Sequence, residues 1–127
     1  MSPQGSTWPS EHFTRVELAC ACGCDVQPDL GFVERLEYAR EIYDRPMVIT
    51  SGMRCAEYQL YINPKIPLSG HMGHGVDVRC NRSADRHRLM VAIWAAGFNR
   101  VGLYDGHVHF DCHPKLPPNR LWVGKSK

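Results

Sequence analysis

The stretch SGHMGHGVDV, residues 69–78, sets His71, His74 and Asp77 among three glycines, and HVHFD, residues 107–111, adds His107, His109 and Asp111. Four of the seven histidines thus fall in two short segments. Imidazoles and carboxylates in such density are the raw material of metal centres and of general acid–base sites. If HVHFDC runs as a strand, alternation puts His107, His109 and Asp111 on one face and Val108, Phe110 and Cys112 on the other. In GVDVRC the same rule turns Val76, Val78 and Cys80 inward and Asp77 outward with Arg79. Two such ribbons side by side bring Asp77 and His109 together. A third ligand then comes from the other arm of the first ribbon, where His71 is the natural candidate. His74 is its rival, but alternation places it with Val76 and Val78 on the core side unless the turn extends to Gly75. Two histidines and one carboxylate with a fourth position open make a catalytic zinc arrangement, which lowers the pKa of a bound water to about 7 and polarises a carbonyl. Spacing alone leaves a plainer reading open: exposed histidines are usually surface residues, and Gly70, Gly73 and Gly75 can serve a tight turn.

Positioning these residues requires a sheet and something to back it. TRVE at Thr14–Glu17 fits a capping box and starts a short helix. In QPDLGFVERLEYAREIY, Pro28 stands at a first helical position, and Leu30, Val33, Leu36, Ala39, Ile42 and Tyr43 form an apolar stripe at helical spacing. RPMVIT reads as a buried strand ended by SGMR. A short helical stretch near Cys55–Tyr61 and a loop, NPKIPLSG, lead into the histidine segment, read as a hairpin. Ser83 caps a further helix with Leu89, Ile93 and Trp94 inward and Gly97 just past its end. RVGLY and HVHFDC follow as two strands joined by Asp105-Gly106, a strong hairpin signal. The Pro-rich HPKLPPNRLW is expected to run extended over the surface. Helices preceding and interrupting mostly antiparallel strands give an α+β class, a small sheet with helices packed on one face.

The 127 residues suit a single domain, 1–127, with loose ends at 1–13 and 123–127. A net charge of +2, with no basic run interleaved with aromatics, argues against nucleic acid as a partner. No apolar stretch approaches the roughly 20 residues of a membrane span. The opening MSPQGSTWPSEHF has neither a basic nor an apolar leader region, so synthesis in the cytoplasm is expected. Nothing in the composition calls for more than a monomer. Six cysteines, three of them in CACGC, leave disulfides, reduced thiols or a metal cluster open. The alternating spacing does not match the C-x2-C knuckle of structural zinc sites, so a second, cysteine-bound zinc is the less favoured expectation.

Three ordered motifs carry a family resemblance: SGMR at Ser51–Arg54, SGHMGHGVD at Ser69–Asp77, and HVH at His107–His109. In this order the chain resembles the zinc D-alanyl-D-alanine carboxypeptidase and L-alanyl-D-glutamate peptidase family, which includes bacterial cell-wall enzymes and phage endolysins. CACGC, RPMVITSGMRC and the terminal tryptophan also look like its compact members, so the similarity runs from about Thr14 to Trp122. The resemblance implies a hedgehog/DD-peptidase-like fold and one catalytic zinc on His71, Asp77 and His109. It implies His107 as general base or transition-state stabiliser, and Arg54 as the group binding a substrate carboxylate or carbonyl oxygen. Tyr104 and Asp111 would line the cleft. The implied substrate is a peptidoglycan stem peptide cut beside a D-amino acid, and a phage lysin released to the cell wall would fit. The non-enzymatic alternative is a zinc-binding module of the same fold, as in the hedgehog signalling domain. Two positions depart from the family pattern. His71 and Asp77 have five residues between them where the family has six, with Gly75 in place of alanine. Gly106 stands where some members carry an acidic base, with Asp105 one residue further back.

Overall fold

The computed structural model describes residues 8–124. Its elements run α1 (Arg15–Leu18), α2 (Leu30–Tyr43), β1 (Ile49–Ser51), α3 (Ala56–Ile62), β2 (Gly75–Arg79), α4 (Ser83–Ala95), β3 (Arg100–Leu103), β4 (His107–Asp111) and β5 (Arg120–Val123). The five strands form one sheet in the order β1-β2-β4-β3-β5. All neighbours are antiparallel except β3 and β5, which are parallel. The fold is α+β, with a mostly antiparallel mixed sheet.

Local chemistry explains most of the boundaries. Thr14 and Glu17 close the expected capping box at α1. Asp29 caps α2 by accepting from the Phe32 amide, so Pro28 lies just outside the helix rather than at its first position. Arg82 rather than Ser83 is the N-cap residue of α4, without a side-chain capping bond. Gly97 takes φ +92° and ends α4 as expected. One face of the sheet is dry. Val76, Val78, Val101, Val108 and Phe110 are buried there together with Phe32, Val33, Leu36 and Ala39 of α2 and Leu89, Ala92 and Ile93 of α4. Phe98 bridges the layers, edge-on to both Phe32 and Phe110.

Several expectations are corrected. Leu30 and Trp94 are exposed rather than inward. RPMVIT is no buried strand: only Ile49–Ser51 pair, at the sheet edge. The first arm of the supposed histidine hairpin is a turn, and β2 begins only at Gly75. Around the other loop, neither Asp105 nor Gly106 has positive φ, so the left-handed hairpin turn is not adopted. The Arg86 guanidinium gathers the carbonyls of Tyr104, Asp105 and His107 there instead. The Pro-rich end contributes β5, whose Trp122 packs over Gly102 so closely that a Cβ on that glycine would meet the indole at 2.5 Å. Residues 8–13, placed with the loose ends, are packed: Phe13 is buried, and Glu37 of α2 accepts from Ser10 Oγ and the His12 amide. At the other end Val123 pairs with Leu103 in β5 and Gly124 N donates to the Leu103 carbonyl, while residues 1–7 and 125–127 lie outside the described range.

Candidate metal centre and active site

The wet face of the sheet carries the chemistry. Asp77 on β2 stands directly opposite His109 on β4, as alternation requires. His109 Nδ1 lies 2.9 Å from Asp77 Oδ1. The turn before β2 delivers His71, whose Nε2 is 3.1 Å from Asp77 Oδ1 and 3.2 Å from His109 Nδ1. Positive φ at Gly73 lets this turn close. Gly70 and Gly75 have a different use: a Cβ on either would run into the Asp111 side chain.

What lies behind the imidazoles decides how they face each other. His71 Nδ1 sits 2.9 Å from the Gly52 carbonyl oxygen, and His109 Nε2 sits 2.6 Å from Asp111 Oδ2. A carbonyl and a carboxylate are acceptors only, so each ring directs its N–H outward to them. Three acceptor atoms, His71 Nε2, Asp77 Oδ1 and His109 Nδ1, are left facing one another at about 3 Å. A proton on one of the facing nitrogens, or a metal cation held by all three atoms, relieves such an arrangement. The edge of a tetrahedral zinc site with bonds of about 2.0–2.1 Å is of similar length, roughly 3.3–3.4 Å. Outer partners of this kind fix the tautomer of metal-binding histidines. The residues present therefore fit a zinc ion.

The electrostatics prepare the three ligands unequally. Burial pushes the His71 imidazole below its ordinary pKa, favouring the neutral, ligating form. Burial also works against the charged form of His109, but hydrogen bonds that its ring donates to the Asp111 and Asp77 carboxylates outweigh it and raise its pKa, so a metal on Nδ1 has to displace the proton shared with Asp77. Asp77 is held far below the usual carboxylate range, burial notwithstanding, by hydrogen bonds to His109 and His71.

Around this cluster lies a cavity of about 730 Å³ whose lining includes Arg54, Gln59, His71, Tyr104, His107 and Trp122. His107 stands at its mouth, Nε2 3.6 Å from Asp77 Oδ2, its ring stacked on Tyr104 at 4.6 Å between centroids. Tyr104 is held in turn by Trp122 Nε1, which donates to its hydroxyl at 3.0 Å. Arg54 donates to Gln59 Oε1 and Ser51 Oγ and has no carboxylate partner among the described residues. Its Nε is buried without any acceptor. Asp111 borders the same cavity but is fully buried behind His109, with Arg100 Nε 3.0 Å from its other oxygen. His74 is turned away from the cluster, its ring edge-on to His113, and Asp105 is exposed in its turn.

The family model described as Peptidase M15 matches residues 11–111, most of the chain and all three motifs. The chain belongs to the Peptidase M15 family. It is thereby a metallopeptidase of a zinc-dependent family, and its sheet and cleft suit that fold. No curated protein and no solved structure matches the chain. The matched span of this peptidase stops before β5, so Trp122 lies outside it. Sequence reasoning missed Gln59 and Arg100. A buried glutamine on a seven-residue helix leaves no periodic trace, and Arg100 reads as an ordinary strand-end charge until Asp111 is seen beside it.

Proposed function

We propose that this peptidase hydrolyses peptide bonds adjacent to D-amino acids in peptidoglycan stem peptides, with His71 Nε2, Asp77 Oδ1 and His109 Nδ1 holding one zinc ion. The observation that carries the reading is the trio of acceptors turned toward one another at the floor of an open cavity. When bound, zinc activates a water and polarises a carbonyl. The protein's own groups do the remainder. His107, clamped against Tyr104, takes the proton from the attacking water and returns it to the departing amine. Arg54, a half-buried guanidinium with spare donors and no carboxylate of its own, receives a substrate carboxylate or carbonyl oxygen. Tyr104 and Trp122 form a wall that holds His107 in place.

The test is digestion of purified peptidoglycan by the zinc-loaded protein, with mass spectrometry of the released fragments. Cleavage next to a D-residue is expected. His107→Ala should lower the rate by about 10²–10⁴-fold while zinc content and fold remain. Arg54→Lys should raise KM sharply, because an ammonium cannot reproduce the planar fork. Intact peptidoglycan after treatment of several wall chemotypes would leave only a zinc-binding module with no hydrolytic role.

A further inference from the structure

A second cluster of metal-binding side chains stands apart from the cleft. The sulfur atoms of Cys20, Cys22, Cys24 and Cys55 all lie within 4.8 Å of one another. Cys20 and Cys22 Sγ are 3.4 Å apart, and Cys22 and Cys55 Sγ 3.7 Å. A disulfide needs about 2.05 Å, so these are thiols gathered without bonding. In a tetrahedral zinc–thiolate centre with bonds of about 2.3 Å, neighbouring sulfurs stand about 3.8 Å apart. The cluster already has that scale.

The loop is folded for convergence. Cys20 N donates to the Val26 carbonyl and Gly23 N to the Cys20 carbonyl, closing a tight turn. Gly23 at φ +86° and Asp25 at φ +65° reverse the chain on both sides of Cys24. This reversal is how an alternating C-x-C-x-C run presents three sulfurs to one point, which spacing alone does not reveal. The fourth sulfur comes from 33 residues beyond Cys22, where Cys55 precedes α3. Two backbone amides are aimed at the sulfurs: Cys55 N at Cys20 Sγ and Tyr58 N at Cys55 Sγ, each at 3.4 Å. Amide donors of this kind stabilise thiolate charge. Four soft sulfur donors gathered this closely favour zinc over hard cations.

The geometry points to a structural zinc site formed by Cys20, Cys22, Cys24 and Cys55, separate from the histidine centre and independent of the peptidase reading. Its place in the fold gives it a task. It pins the loop after α1 to the residue next to Arg54. Met53 N already donates to the Leu18 carbonyl there, and Arg54 N to the His71 carbonyl. The site therefore fixes the segment that carries the cleft arginine and supports the turn bearing His71.

The full-length protein, purified under reducing conditions and exchanged with cobalt(II), tests this. Two metal equivalents per chain and a thiolate-to-cobalt charge-transfer absorption are expected. The band should persist in His71→Ala/His109→Ala, which loses only the other equivalent, and vanish in Cys22→Ser/Cys24→Ser, both exposed positions. A separate readout guards against misfolding of that variant: in the native protein, a maleimide should label these four cysteines only after a chelator is added. Four freely labelled thiols in the untreated protein, disulfides among them in the unreduced chain, or a band indifferent to the cysteine changes would overturn the assignment.

Discussion

Asp111 is the residue whose role changes most between sequence and structure. The family resemblance implied a cleft group; in the fold it borders the cavity but is fully buried behind His109, where it sets which imidazole nitrogen faces the cluster. Its own acidity is raised, since hydrogen bonding from His109 and its neighbours overcomes the burial that opposes ionisation. Asp111→Asn keeps the shape but can offer His109 an amide donor instead of a carboxylate. Zinc affinity should fall by about 10–100-fold, measured by competition with a chromophoric chelator. Unchanged affinity would mean that the His109 tautomer is fixed some other way. Alternation along β2 and β4 revealed Asp77 and His109 directly. His71 was reached less securely, because a turn has no period, and the argument that set His74 aside treated that turn as strand.

At the scale of elements, helices with a capping signal were legible and edge strands were not. The Thr14–Glu17 box and the stripe of α2 follow from local hydrogen bonding and a 3.6-residue period. β5 hid behind prolines, since its pairing to β3 is a parallel, long-range contact with no local signature. The stretch 8–13 was misjudged for a similar reason: what holds it is Glu37, far along the chain. That carboxylate stays below its ordinary pKa of 4.5 because hydrogen bonds from the His12 amide and ring and from Ser10 outweigh its burial. A depressed carboxylate stabilises the fold fully above its unfolded pKa and progressively less as pH falls through the folded value. Glu37→Gln should thus cost about 1–2 kcal/mol at neutral pH, and the gap from the wild type should close as pH drops below 4.5. Denaturant titrations at several pH values check this; a gap constant with pH would contradict it.

The whole molecule divides its labour between the two faces of one sheet. The dry face, built on Val76, Val108 and Phe110 against α2 and α4, fixes strand register, and register alone places Asp77 opposite His109. A slip by one residue in β2 or β4 would turn Asp77 or His109 into the core. Because the histidine centre exists only in the folded chain, zinc should stabilise it by about 2.7 kcal/mol when free metal is at 100 times its Kd. A zinc-dependent rise in melting temperature that is smaller in His71→Ala/His109→Ala than in the wild type would show this linkage. The most direct test of the central claim is an anomalous difference map collected at the zinc edge from crystals of the zinc-loaded protein. The account predicts a peak bonded to His71 Nε2, His109 Nδ1 and an Asp77 oxygen at about 2.0–2.2 Å. A map in which those two nitrogens are bare would contradict it.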